Sequence, residues 1–358
     1  MEVGGEDCIT KGSSVHGNVK EYYGKTILTT DDIKTTACSP SIGTMRDYIR
    51  DTMKLIHNDV IAKFFGCGIT LPECLAGMNI LDLGSGSGRD CYVLAKLVGE
   101  DGFVTGIDMT DEQLEIANKY IEYHRNVFGF EKSNVKFVKG YIENLKDAGI
   151  VDESVDVIIS NCVISLCEDK QSVLQEAFRV LKNGGEFYFS DMYSDREPTE
   201  EMKNNEVLWG EGMGGALPWR RLFSLAQDIG FEIPRTVSAR IVDAIQPDIK
   251  ASVGDAKFVA VTYRLFKLPT NIIREPKDVL YKGEIFGHED EIQFDCKLKL
   301  IRGIPQATDG DTAAILQSSR FKNEFSFRKS GNYVPSFEVD DPFVLAASSD
   351  GKSCCTDI

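Results

Sequence analysis

A chain of 358 residues with 42% hydrophobic content can bury a large core and has room for two or more domains. Its formal charge of −16, with no Lys/Arg cluster, argues against nucleic acid as a partner, because phosphate backbones call for a basic surface. No apolar run approaches a membrane span, and the acidic stretch Met1 to Asp7 lacks a signal-peptide core, so a cytoplasmic protein without a membrane partner is expected.

The segment up to about Pro40 is polar and contains Tyr22 and Tyr23, which either close over a ligand or pack on a helix. Apolar residues recurring from Met45 to Phe65 predict one amphipathic helix that stops at Gly66-Cys67-Gly68. Next, Ile80 to Leu83 predicts a strand that runs into Gly84-Ser85-Gly86-Ser87-Gly88, followed at once by a helical pattern. Glycine is needed in such a loop because a ligand touches backbone where a Cβ would clash. The spacing is G-x-G-x-G rather than the G-x-G-x-x-G of pyrophosphate-binding loops. A tighter loop suits a nucleotide with no pyrophosphate, of which S-adenosylmethionine is the commonest.

Three further strand ends agree with that reading. Val104 to Asp108 ends in a carboxylate placed to hold ribose hydroxyls, the plain alternative being a helix cap before Glu112 to Tyr120. Val135 to Val138 leads to Gly140-Tyr141-Ile142-Glu143, placed to flank an adenine ring, and Val155 to Cys162 ends in Ser160-Asn161-Cys162. The alternating series predicts a Rossmann-like, doubly wound α/β methyltransferase core that uses S-adenosylmethionine, with additional smaller α+β domains. Asp82, Gly84, Ser85, Gly86, Gly88, Asp108, Met109, Ile142, Glu143 and Asn161 are the expected cofactor contacts.

Gln171 to Leu181 predicts a helix closed by Lys182-Asn183-Gly184-Gly185 ahead of a strand at Glu186 to Ser190. Helices are expected over Met202 to Gly210 and Trp219 to Ile229, with a glycine-rich turn at Gly212 to Gly215 between them, and a strand at Phe258 to Phe266. Beyond about Leu268 a small, partly β domain is expected. The expected divisions are 1–45, a segment contributing to the substrate site; 46–195, the cofactor-binding core; 196–270, a substrate-binding region; 271–347, a C-terminal domain; and 348–358, a flexible tail with the vicinal pair Cys354-Cys355.

The ten cysteines form no C-x-x-C pair and fit no zinc site. Cys74, Cys91 and Cys296 read as small packed hydrophobes. Cys162, in contrast, stands at the mouth of the expected cleft, with no histidine in sequence that would serve a proton-removing methyl transfer. Cys67 lies between two glycines and Cys38 close to a proline, and thiols outside regular elements suggest a thiophilic substrate.

Tyr22 to Lys25, Phe65 to Gly68, Ile80 to Tyr92, Val104 to Thr110, Gly140 to Glu143, Ser160 to Ile164, Asp169-Lys170, Arg179 to Lys182, Tyr188 to Asp191, Leu208 to Glu211 and Gly215 to Leu217 carry a resemblance, joined by the strand within Gly254 to Lys267 and by Cys354-Cys355. With these segments the sequence resembles the arsenite methyltransferases, which methylate trivalent arsenic with S-adenosylmethionine. The resemblance implies that Cys162 and Cys67 are arsenic ligands, and that Cys38 and Cys67 match the N-terminal cysteines that serve in thiol relay and can form a disulfide with each other. It further implies a thiol reductant (glutathione or thioredoxin) as co-substrate, trivalent arsenicals as small-molecule partners and a monomer. The chain departs from the family at Gly212, where the resemblance implies a fourth cysteine, the partner of Cys162. That departure keeps two alternatives open: methyl transfer to another soft nucleophile, such as a thiol or selenium compound, and a non-catalytic arsenical-binding protein.

Overall fold

The computed structural model describes residues 15–23, 45–66, 68–243, 246–331 and 334–348. Helices α1 (Val15–Glu21), α2 (Asp47–Met53) and α3 (Asn58–Ala62) precede the sheet. The β/α series then runs β1 (Asn79–Leu83), α4 (Arg89–Val98), β2 (Phe103–Asp108), α5 (Asp111–Lys119), α6 (Ile121–Phe128), β3 (Val135–Lys139), β4 (Val155–Asn161), α7 (Lys170–Val180) and β5 (Leu181–Ser194). It continues through α8 (Glu200–Lys203), α9 (Glu206–Gly210), β6 (Leu217–Pro218), α10 (Trp219–Ile229), β7 (Arg235–Val242), α11 (Pro247–Val253) and β8 (Phe258–Phe266).

The main sheet has the order β3-β2-β1-β4-β5-β8-β7, with short β6 paired to β5. Strands β1 to β5 are parallel, and β8 runs antiparallel to both of its neighbours. Parallel strands are covered on both faces, so they read as nearly unbroken apolar runs, as Ile158, Ile159, Phe187 and Phe189 do. One apolar layer gathers α4 with Ile49, Ile56 and Val60; the other gathers α7 and α10. Strand order reverses between β1 and β4, and ligands of open α/β sheets sit outside the carboxyl ends of the strands at such a point.

Three sequence expectations need correction. The helix expected over Met45 to Phe65 is two, because the His57 side chain accepts the Asp59 amide at 3.1 Å and starts a new helix while Ile56 turns inward. Met202 to Gly210 is likewise split between α8 and α9, since the Asn205 side chain caps the amides of Val207 and Leu208. The Lys182 to Gly185 cap is absent: α7 ends at Val180 and Leu181 is already extended and paired with Val155. Gly184, at φ +86°, donates its amide to the Lys267 carbonyl, just past β8 on the other side of β5.

Strands β7 and β8 join the sheet of the core, so the sheet runs across the division expected at residue 195. The C-terminal part contains β9 (Lys277–Tyr281), β10 (Glu291–Gln293), β11 (Lys299–Ile301), β12 (Gln306–Thr308), α12 (Gly310–Ser318), β13 (Phe325–Lys329) and α13 (Pro342–Ser348). It has a three-stranded sheet β12-β9-β13 and an apolar cluster that also takes in Phe266 of β8. A buried ionic group fastens it to the core. Arg264 Nε donates at 2.5 Å to Glu186, its Nη1 reaches the Phe294 carbonyl at 2.8 Å, and Glu73 and Arg320 close the cluster. Burial opposes the Glu186 charge, but Arg264 and Arg320 outweigh it and hold its carboxyl below the usual range. No described helix is long and apolar enough to cross a membrane.

Candidate active site

The carboxyl ends of β1, β2 and β4 open into a cleft of about 940 Å³, counted out to its mouth. Its shape begins with the glycine loop. Amides of Gly84 and Ser85 both donate to the Ile107 carbonyl, turning the chain sharply after β1. Gly84 has φ +73°, and a Cβ there would lie 2.5 Å from Val163, so only glycine fits. Gly86 differs: its Cβ position meets nothing nearer than Gln113 Oε1 at 3.8 Å, which leaves its backbone open to a ligand. Gly88 does not share the cleft wall. A Cβ there would press on Phe137 at 2.6 Å, so this glycine allows α4 to pack on the sheet.

Asp108 Oδ2 accepts the Gly86 amide and Oδ1 the Thr110 amide, both at 2.8 Å. One carboxylate therefore ties the glycine loop to the start of α5, the cap-like role considered for it. Burial raises the Asp108 pKa against these bonds. Asn161 donates to Asp90 and to the Gly68 carbonyl, each at 3.2 Å, while Arg89 reaches the same carbonyl at 2.6 Å and stacks on Phe64. Cys162 follows β4 at φ +59°, pinned by its amide to the Ser190 carbonyl at 2.8 Å. It is disulfide-bonded.

Of the expected cofactor contacts, Asp82, Gly84, Ser85, Gly86, Asp108, Met109, Ile142, Glu143 and Asn161 line the cleft together with Cys162. Cys38, Cys67, Cys354 and Cys355 lie outside the described residues. Cys91 is fully buried as expected, whereas Cys74 and Cys296 are only partly so. Cys167 also lines the cleft, but burial pushes its thiol pKa well up, so it is a poor source of thiolate. Of the residues left undecided, Asp191 accepts the amides of Ser165 and Met192, and Glu211 receives the Tyr22 hydroxyl.

Sequence reasoning missed His16, Val19, Asp90 and Gln113, which also line the cleft. Asp90 lay within the glycine motif, and Gln113 falls on the first turns of α5, five residues after Asp108. Among the described residues, Gln113 Oε1 is buried with no hydrogen-bond partner, beside open Gly86. An orphaned acceptor next to a cradle without a Cβ is what a cofactor's polar groups would complete.

Burial, reinforced by the charges of Asp90 and Asp108, pushes the Asp82 pKa up to about 8. Cys91 donates its thiol to Asp82 at 3.1 Å, and Arg89 opposes the shift. Burial thus favours the protonated form of Asp82. Because its folded pKa lies above the unfolded value, its contribution to stability is complete below about pH 4 and fades as pH rises through 8. A cationic ligand favours the ionised form, so binding should release a proton. Titration calorimetry is expected to show S-adenosylmethionine binding roughly tenfold tighter at pH 7.5 than at pH 6, with Asp82→Asn removing the slope. Equal slopes in the two proteins would count against this assignment.

A glycine loop, an acidic strand end and an open cleft on this strand order define the class of S-adenosylmethionine-dependent methyltransferases. Residues 75–234 match the family described as a methyltransferase domain, and residues 274–357 match the arsenite methyltransferase C-terminal domain. The arsenite methyltransferase of Mus musculus is 47% identical over 94% of this chain and 92% of its own length; that of Homo sapiens is 45% identical over 96% and 95%. An arsenic(III) S-adenosylmethionine methyltransferase from Chlamydomonas reinhardtii, solved by crystallography, superposes with a TM-score of 0.77 at 39% identity, covering 82% of this chain and 100% of that one. The chain belongs to the arsenite methyltransferase family.

Proposed function

We propose that the protein transfers methyl groups from S-adenosylmethionine to trivalent arsenic held on Cys162, with Cys67 and Cys38 supplying further thiols. The observation that carries the reading is a cysteine pinned at the end of β4 in the same cleft as the glycine loop. When bound, S-adenosylmethionine supplies an electrophilic methyl group for which the lone pair of thiolate-bound arsenic is the nucleophile. No proton has to leave the arsenic, so no general base is required. The chain's work is positioning and exclusion of water.

Gly86 backbone and Asp108 would hold the sugar and methionine parts of the cofactor, Ile142 and Glu143 the adenine, and Asn161 the rim next to Cys162. Residues 196–270 form the arsenical side in this reading. A thiol reductant such as glutathione or thioredoxin has two tasks. It opens the disulfide at Cys162, two thiols becoming one disulfide as the protein gains two thiols, and it returns the protein to that state after a cysteine pair has reduced the pentavalent product by two electrons.

Gly212 leaves the site with one thiolate fewer than the resemblance implies, which favours substrates with fewer positions for thiolates to occupy. Incubation with S-adenosylmethionine, glutathione and either arsenite or methylarsonous acid should release S-adenosylhomocysteine and methylated arsenicals, faster from methylarsonous acid. Faster turnover of arsenite sinks that preference. Arsenical binding with no turnover would favour the binding-protein reading, and turnover only of thiols or selenium compounds would favour another acceptor.

A further inference from the structure

Helix α1 buries Val19, at 5% exposure, and together with Tyr22 and Tyr23, which follow it, makes polar contacts to two separate parts of the molecule. On the cofactor side, His16 Nε2 lies 2.9 Å from Glu143 Oε1, and Lys20 donates at 2.7 Å to the Tyr141 hydroxyl. The His16 ring and the Lys20 ammonium each sit 4.8 Å from the centre of the Tyr141 ring. On the other side, Asn18 donates to Glu206 at 3.2 Å, Tyr22 to Glu211 at 2.7 Å, and Tyr23 to the Gly210 carbonyl at 2.8 Å. Gly210 is shaped for this: a Cβ there would stand 2.9 Å from the Tyr22 ring.

His16, Val19 and Tyr23 line the same cleft as Gly84, Asp108 and Glu143. A nucleotide in the cleft would thus have α1 as part of its wall. Seven residues are too few to stay helical alone, so α1 keeps its form by docking. Helix α4, with eight of its ten residues buried, is a fixed wall; α1 is joined by contacts that water can replace.

We propose that α1 is the gate of the cofactor pocket, fastened by His16 to Glu143 and Lys20 to Tyr141, and that it must undock for the spent cofactor to leave. His16 and Lys20 are positioning residues here, acting through Glu143 and Tyr141. The inference rests on the cleft taking S-adenosylmethionine and is independent of what accepts the methyl group. Its second clasp, on residues 206–211, means that loosening a contact remote from the nucleotide also frees the gate.

The test follows the release of labelled S-adenosylmethionine and S-adenosylhomocysteine from the full chain, with no arsenical present. His16→Ala with Lys20→Ala should speed release of both about tenfold, as loss of one or two such contacts implies. Glu206→Ala should speed it severalfold despite its distance, and His16→Gln, which keeps a donor for Glu143, should release slowly like the wild type. Hydrogen exchange should show the α1 amides protected when S-adenosylhomocysteine is added. Unchanged release in both loosened variants overturns the gate, as does faster release while α1 protection ignores the ligand. Binding of neither nucleotide by the wild type would instead remove the methyltransferase reading itself.

Discussion

Cys162→Ser is expected to lower methyl transfer by at least about 10³ while leaving the affinity for S-adenosylmethionine within about threefold. Serine fills the same space at φ +59° and keeps the amide bond to the Ser190 carbonyl, so β4 and the glycine loop stay as they are. What changes is the ligand atom. Trivalent arsenic is soft and binds thiolate far better than a hydroxyl oxygen, and an acceptor not held beside the methyl group loses the advantage of proximity. The disulfide at Cys162 is lost as well, so the comparison is with reduced wild-type protein, and melting curves must show equal folding. Methylarsonous acid turned over by the serine variant at more than a tenth of the wild-type rate would remove Cys162 from the reaction.

The parts of this arrangement that could be read from sequence are those set by local periodicity and local sterics. β1, β2 and β4 announce themselves as largely apolar runs with a polar or glycine residue at or just after the end, because a doubly covered parallel strand has no solvent face to vary. Edge strand β3 keeps exposed lysines. The glycine loop is legible because three positive φ angles within five residues admit little else. α10 and β8 have their expected bounds, the first because its buried residues keep helical spacing and Gly230 closes it at φ +115°. Capping competition was harder to see. His57 and Asn205 each divide a continuous apolar pattern by offering an amide a nearer acceptor, and periodicity carries no trace of that choice. α1 was illegible as a cleft wall for another reason. His16 and Glu143 are 127 residues apart, and nothing in the surroundings of either in the sequence names its partner.

Gly212→Cys is the complementary experiment, and its expected result is a gain. The glycine follows α9 at φ +82°, with its amide donated to the Trp209 carbonyl. A Cβ at that position would point at Ser165, 3.0 Å from its hydroxyl, with Met192 at 3.8 Å. Ser165 belongs to the turn that follows Cys162, so a thiol at 212 would enter beside the loop that carries Cys162. A second thiolate held near the first acts at high effective concentration, and arsenite turnover is expected to rise about a hundredfold. Methylarsonous acid, with one position fewer for thiolates, should change by no more than about threefold. The left-handed backbone opposes the substitution by about 1–2 kcal/mol, and the contact with Ser165 adds to it. Ser165→Ala in the same chain relieves that contact and separates crowding from chemistry. If the double variant folds as well as the wild type and arsenite turnover still does not move, thiols already present complete the site, and the glycine sets neither the rate nor the choice of substrate.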